Sequence, residues 1–156
     1  MDSVLLRELR QTKPFGSVEA MVFLNVLRTG EALLQSETAL LRTAELSFAQ
    51  YNVLRILRGA GAAGLACGEI AERMVNRDPD VTRLLDRLEE RGLVRRTRGE
   101  DDRRVVVTRI TKGGLALLKS LDAPVARVHQ EQLGHMSRAD LQRLSDLLEQ
   151  ARTPAR

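Results

Sequence analysis

A threonine and two arginines in the middle of the chain lie where they could read DNA bases. Thr82, Arg83 and Arg87 belong to a segment whose apolar residues recur at helical intervals: Val81, Leu84, Leu85 and Leu88. If these apolar residues face a core, the threonine and both arginines face outward on the same helix. Arginine can bind guanine through two hydrogen bonds, and threonine can bond a base or contact a thymine methyl group. The pattern therefore predicts a helix that reads base edges in duplex DNA.

Acidic neighbours leave two alternatives open for this helix. Arg83 and Arg87 are expected to contact DNA, but they could instead pair within the helix with Asp86 or Glu90. Asp80 could accept a hydrogen bond from a cytosine amino group, or it could stabilise the positive end of the helix. We favour the second reading of Asp80, because a carboxylate close to phosphate is repelled.

The positive charge of the chain is concentrated just after this helix. Seven arginines lie between positions 91 and 109, against Glu100, Asp101 and Asp102, so this segment carries +4, as does the whole chain. A local basic stripe suggests a polyanionic partner, although a solvated charged loop has the same composition. Arg98, Arg103 and Arg104 are the candidate DNA contacts of this segment. Arg103 and Arg104 are expected at a hairpin tip, where an arginine can enter a narrow minor groove.

The elements that position these residues are predicted from periodicity and capping signals. Leucines every seven residues predict a long helix over 17–43. Ser47 and Gln50 fit a capping box that opens a second helix, which the stretch 59–64 ends. A short helix is predicted over 67–74, and the base-reading helix over 79–91, with Asp78 as its cap and Pro79 in its first position.

A hairpin and two helices follow. Alternating and β-branched residues predict two strands over 93–110 with a turn at 99–102. Thr111 is expected to cap a helix that Pro124 ends or kinks, and Ser137 with Asp140 to open the last helix. The fold class is therefore mainly α with a small β-hairpin wing (α+β). It is a winged helix-turn-helix at about 64–111 between N- and C-terminal helices.

Residues 46–118 also resemble a known family in order and spacing. The segments that carry the resemblance are LSFAQY (46–51), DVTRLLDRLEERGLV (80–94), DRR (102–104), TRIT (108–111) and TKGGLALL (111–118). They are similar to the second helix, recognition helix, wing and following helix of MarR-type transcriptional regulators. The resemblance implies a homodimer that binds a pseudo-palindromic operator, often as a repressor released by a small ligand. It also implies that Arg104 enters the minor groove and that Asp102 orients it.

The helices on either side of this lobe are expected to join two copies of the chain. Their apolar stripes exceed what a small winged helix would bury, although packing within one chain is the alternative. We therefore divide the chain into an N-terminal dimerisation helix (1–45), a DNA-binding lobe (46–111) and C-terminal dimerisation helices (112–156).

Several classes of function find little support in the sequence. Cys67 is alone and lacks a neighbouring His or Lys, so an inert thiol in a reducing cytoplasm is expected. His129 and His135 are too far apart to share a helical face, so we expect no metal site. Neither a membrane segment nor a cofactor loop nor a nucleophile motif is recognisable, and we expect no membrane partner, no cofactor and no enzyme activity.

The sequence thus predicts a cytoplasmic, dimeric, sequence-specific DNA-binding regulator. The alternative is a winged-helix module for protein interaction with only non-specific DNA affinity. A small aromatic or phenolic effector is a further expectation. Its pocket is guessed to include Met21, Arg28 and Tyr51.

Overall fold

The computed structural model describes residues 4–76, 80–98 and 105–153. Their elements, in chain order, are α1 (Val4–Glu8), α2 (Val18–Arg42), α3 (Phe48–Ala60), β1 (Leu65–Ala66), α4 (Cys67–Arg73), α5 (Val81–Glu90), β2 (Val94–Arg98), β3 (Val106–Ile110), α6 (Lys112–Leu133) and α7 (Arg138–Arg152). A 3₁₀ turn, Gly61–Ala63, follows α3. This order confirms the mainly α fold class with a β-hairpin wing.

Local capping explains where several helices begin. Ser47 accepts a hydrogen bond from the backbone N–H of Gln50, whose side chain accepts one from the N–H of Ser47, which confirms the predicted capping box of α3. Thr111 and Ser137 cap α6 and α7, as predicted, each by accepting a hydrogen bond from the backbone N–H three residues ahead. Each cap satisfies a backbone donor that the first turn of a helix cannot satisfy itself.

Three details differ from the sequence-based predictions. The helix predicted to end or kink at Pro124 does not end there, because α6 continues to Leu133 with Leu121 and Val125 buried on either side of the proline. The sheet contains a third strand, β1, which is too short to show a period of its own. α1 is also additional, since no helix was predicted over Val4–Glu8.

The chain divides into two compact units, the first ending at Glu37 and the second beginning at Thr38. In the first unit, Leu5 is buried, and Arg28 lies 3.7 Å from Glu8 in an exposed ion pair. A cleft of about 410 Å³ between α1 and α2 is lined by ten residues, Arg28 among them. Several large apolar side chains of α2 are exposed in this unit: Val18, Val22, Phe23, Val26, Leu27 and Leu34.

The second unit contains a hydrophobic core under a three-stranded antiparallel sheet of order β1-β3-β2. The core is formed by the end of α2 and by α3 to α6, and its fully buried residues include Leu41, Val53, Leu54, Leu57, Ile70, Leu88 and Leu118. β2 and β3 pair from Val94 with Ile110 to Arg98 with Val106. α3 and α4 contact α5, and α3 also contacts β3, so the core supports both the helix and the hairpin.

Gly64 is required where β1 meets β3. Its φ is +68°, and an added Cβ would lie 2.6 Å from the carbonyl oxygen of Thr108 on the neighbouring strand. Both the backbone conformation and the close approach exclude a larger residue without rearrangement. This glycine lets the chain turn from the 3₁₀ segment directly into the sheet.

Candidate nucleic-acid interface

Helix α5 begins at Val81, and Asp80 caps it. One carboxylate oxygen of Asp80 accepts a hydrogen bond from the backbone N–H of Arg83 at 3.1 Å. Within the described residues Asp80 is the cap of the helix, because it reaches the amide three residues ahead as an N-cap does. The favoured reading of Asp80, stabilisation of the helix start, is confirmed by this contact. Asp78 and Pro79 lie outside the described residues.

The two sides of α5 differ as the spacing predicts. Val81, Leu85 and Leu88 are buried, and Leu84 is half-buried. Thr82, Arg83 and Arg87 are exposed on the other side. The structure thus brings the three predicted base-reading residues onto one surface.

Arg83 pairs within the helix, but with a different residue from those proposed as alternatives. Its Nε lies 3.2 Å from the second carboxylate oxygen of Asp80, and its side chain remains 70% exposed. An exposed ion pair of this kind contributes little to stability. The pair limits the directions that the guanidinium takes, and its terminal nitrogens remain able to donate to a base.

Thr82 is placed by the neighbouring helix. Its hydroxyl oxygen lies 3.8 Å from the sulfur of Cys67, the first residue of α4. Cys67 is half-buried there. The thiol that the sequence analysis interpreted as inert therefore packs against one of the candidate base-reading residues.

The fold engages some arginines of the basic stripe in hydrogen bonds within the chain. Arg91 donates hydrogen bonds to the carbonyl oxygens of Glu45 at 2.6 Å and Ala44 at 3.1 Å. Arg109 donates to the carbonyl of Ala62 and to the hydroxyl of Thr97, both at 2.8 Å. Arg91 thus joins the lobe to the segment just before α3, and Arg109 joins two parts of the lobe to each other.

A third arginine of the stripe, Arg96, binds two carboxylates of α5. Its Nε donates to Glu89 at 2.7 Å, and one terminal nitrogen lies 2.6 Å from Asp86 and 2.7 Å from Glu89. Its backbone N–H also donates to Glu89, at 2.8 Å. Hydrogen bonds from Arg96, the backbone one first, lower the pKa of Glu89, and the bond with Glu89 raises the pKa of Arg96. Asp86 therefore pairs with the hairpin and not with Arg83 or Arg87.

The exposed arginines of the hairpin are the ones left to face a partner. Arg95 and Arg98 are both exposed on β2, and Arg98 pairs with Val106 at the outer end of the described ladder. Asp102, Arg103 and Arg104 lie outside the described residues, so their predicted roles stay predictions. Arg98 was predicted as a DNA contact, whereas no role was predicted for Arg96, because its carboxylate partners lie on another element.

The predicted effector residues belong to both units of the chain. Arg28 lines the cleft of the first unit, whereas Met21 is half-buried on α2 and is not among the cleft residues. Tyr51 is buried in the core of the second unit and accepts a hydrogen bond from Arg55 at 3.1 Å. These positions leave the effector pocket a prediction.

Two kinds of site lack support in the structure. Among the described residues, His, Cys, Asp and Glu side chains form no group of three or more that could hold a metal ion. Across the same residues, every helix is too short or too polar to cross a lipid bilayer.

Comparison with known proteins supports the same interpretation of the lobe. The family model MarR matches residues 46–106. The crystal structure of a MarR transcription factor from Planctomyces limnophilus is 43% identical, with a TM-score of 0.68, and the match covers 87% of this chain and 98% of that one. The structure of CouR from Rhodococcus jostii, bound to p-coumaroyl-CoA, is 25% identical with a TM-score of 0.75, covering 91% of this chain and 99% of that one.

A relative from Bacillus subtilis, the HTH-type transcriptional regulator YfiV, is 38% identical over 77 residues. That match covers 49% of this chain and 47% of the relative, so it spans less than half of the relative's length. Proteins named as repressors also occur among the similar proteins. The chain therefore belongs to the MarR family of DNA-binding transcriptional regulators, which are not enzymes.

Proposed function

We propose that this protein is a homodimeric repressor that binds a pseudo-palindromic DNA operator and releases it when a small molecule binds. The observation that carries the proposal is the exposed side of α5, where Thr82, Arg83 and Arg87 lie together above a buried apolar side. In a helix-turn-helix, such a helix enters the major groove and its exposed side chains contact base edges.

The recognition step assigned to α5 is a contact of Arg83 with guanine. The Nε of Arg83 is engaged by Asp80, which also caps the helix. A guanidinium restrained in this way loses less conformational entropy when it binds a base. Thr82, beside Cys67, would add a contact with a neighbouring base, and Arg87 a contact with a base or a phosphate.

The wing is assigned to the minor groove and the phosphate backbone. Arg98 is exposed at the end of β2, and Arg103 and Arg104 follow it in the chain. Arginines inserted in a narrow minor groove respond to its enhanced negative potential and not to individual bases. In this proposal Arg104 enters the groove, Asp102 orients it, and Arg98 and Arg103 neutralise phosphates.

Dimerisation is assigned to residues 1–45 and 112–156, and DNA binding to residues 46–111. None of the residues of α7, all of them within the described part of the chain, is buried, and Leu147 is 52% exposed. In α2, Phe23 is 63% exposed. A second copy of the chain would cover such surfaces, and two-fold symmetry would place two copies of α5 on successive major grooves.

Repression and release follow the pattern of similar proteins, some of which are named as repressors. A dimer bound across an operator blocks access to the DNA beneath it. The effector is proposed to be a small aromatic or phenolic compound, since CouR is similar to this chain and was solved with p-coumaroyl-CoA. Because its target is chromosomal DNA, we place the protein in the bacterial cytoplasm.

The central experiment is selection of duplex DNA from a random library, followed by anisotropy titration of the selected sequence at several salt concentrations. The proposal expects a two-fold symmetric consensus whose affinity falls steeply as salt rises, because phosphate contacts release counterions. Binding without sequence preference would overturn it and favour the protein-interaction module instead.

Arg104→Ala tests the wing in the same assay. Loss of one groove-inserted arginine is expected to weaken operator binding by about tenfold or more. Arg58→Ala removes the same charge on α3, where Arg58 binds Asp122 and is not among the proposed DNA contacts, and is expected to leave the affinity nearly unchanged. Equal affinities for the two variants would remove the wing from the proposal.

A further inference from the structure

Arg96 connects the strand that leads into the wing with the helix proposed to read bases. Its guanidinium bridges Glu89 and Asp86, which lie three residues apart on α5. Only 28% of the Arg96 side chain is exposed, compared with 70% for Arg83. The bridge is therefore a second connection between α5 and β2, in addition to the short turn that links them in the chain.

The backbone of Arg96 takes part in the same cluster. β2 is an edge strand of the sheet, because the order is β1-β3-β2. The N–H groups on the outer side of an edge strand lack a neighbouring strand to bond with. Glu89 accepts the N–H of Arg96 at 2.8 Å, so one carboxylate binds both the backbone and the side chain of this residue.

The charge of the cluster argues against a direct DNA contact by Arg96. Two carboxylates surround one guanidinium, so the three groups together carry one negative charge. A net negative cluster beside DNA weakens binding through repulsion of phosphate. The presence of this negative cluster next to the exposed arginines is explained if the cluster fixes the positions of those arginines relative to one another.

We propose that Arg96 is a positioning residue that, through Glu89 and Asp86, sets the wing against α5 so that both can engage one DNA site. The inference rests on the proposed function, in which α5 and the wing bind DNA together. The proposal predicts that removing the negative charge of Glu89 lowers the affinity for DNA. Simple electrostatics alone would predict a higher affinity.

The test compares Glu89→Ala with Glu90→Ala in anisotropy titrations against the selected operator. Both variants remove one carboxylate and make the same substitution on α5, but Glu90 is exposed and is not a partner of Arg96. We expect Glu89→Ala to weaken binding by about tenfold, and Glu90→Ala to leave it unchanged or to strengthen it. Equal effects of the two variants would overturn the inference.

Arg96→Lys distinguishes positioning from phosphate contact. Lysine keeps the charge and binds phosphate well, but it lacks the planar fork that reaches two carboxylates. We expect this variant to weaken binding as Glu89→Ala does. An affinity equal to that of the wild type would show that Arg96 acts only through its charge.

Double-mutant cycles separate positioning from a general loss of stability. In the Glu89→Ala background, Arg98→Ala should cost little further affinity, because the wing is no longer held in place, whereas Arg83→Ala should keep its full cost. If both costs are unchanged, the cluster only stabilises the fold and the inference is wrong.

Hydrogen exchange without DNA keeps this test independent of the proposed function. The amide of Arg96 should exchange faster in Glu89→Ala than in the wild type or in Glu90→Ala, since its acceptor is lost. Unchanged exchange would overturn the inference even if DNA binding is confirmed. Failure of the wild type to select any DNA sequence would overturn the proposed function and, with it, the assignment of Arg96 to DNA binding.

Discussion

Helices α5 and α7 are both amphipathic, but they differ in what covers their apolar side. In α5, Val81, Leu85 and Leu88 are buried within the chain. In α7, all of whose residues are described, no residue is buried, and Leu144 and Leu147 are exposed. The same helical periodicity thus serves a completed core in one region and an uncovered surface in the other.

The difference shows which helix has its apolar side covered by the same chain and which helix does not. The apolar side of α5 is covered by α3, α4 and the hairpin, so the exposed side can carry residues for DNA without loss of stability. α7 has a cap and a well-formed helix but no burial, and isolated helices of its length are marginal in water. A second copy of the chain would supply the missing contact.

The largest expected effect is on the free energy of unfolding when α5 loses its buried side. Leu85→Ala leaves a cavity at a residue that is 1% exposed, and we expect a loss of about 2–5 kcal/mol. Chemical denaturation measures it. Leu147→Ala is the counterpart on α7, and for a single chain its cost would stay within about 0.5 kcal/mol. A larger, concentration-dependent cost for Leu147→Ala would support its burial between two copies.

Charges on α7 are expected to separate the proposed dimer. Leu144→Asp combined with Leu147→Asp would place two carboxylates in an apolar interface, and we expect the dimer dissociation constant to rise by about 100-fold or more. Analytical ultracentrifugation over a range of concentrations measures it. Val75→Asp adds a charge at an exposed valine outside the proposed dimerisation segments and should not change the mass. A wild-type protein that is monomeric at all concentrations would contradict the dimer.

Loss of Arg83 from the exposed side of α5 should alter recognition and not stability. Arg83→Ala is expected to cost about 1–3 kcal/mol of operator binding and to relax preference at one base pair of each half-site. Titration against single-base variants of the operator detects this, and Arg58→Ala on α3 serves as the control of equal charge. A uniform loss across all base variants would instead identify Arg83 as a phosphate contact.

The smallest expected effect is on the pH dependence of stability. Hydrogen bonds from Arg96 hold the pKa of Glu89 below its ordinary value of 4.5 in the folded protein. A lowered pKa stabilises the fold at pH values above the unfolded pKa, and this contribution is lost as the pH falls through the folded pKa. The stability difference between wild type and Glu89→Ala should therefore shrink as the pH drops below about 4.5. Thermal unfolding between pH 6 and 3 measures it, and a constant difference would contradict the pairing.

Much of the fold was predictable because its signals are local in the chain. The caps of Ser47, Thr111 and Ser137 act on amides three residues away, and the apolar spacing of α5 requires only helical geometry. The exposed positions of Thr82, Arg83 and Arg87 followed from that spacing. For these features the sequence by itself was sufficient, since each depends on neighbours within one or two helical turns.

The tertiary structure alone decided which arginines are available to DNA. Arg91 binds the carbonyls of Ala44 and Glu45, and Arg109 binds the carbonyl of Ala62, partners more than 40 positions away in the chain. Arg96 and Arg98 are alike in sequence, but only Arg96 meets carboxylates of α5. Likewise α6 continues through Pro124, because burial of Leu121 and Val125 outweighs a local signal to stop. Local periodicity determines helices and their faces, whereas contacts between distant segments determine which charged groups already have a partner within the chain.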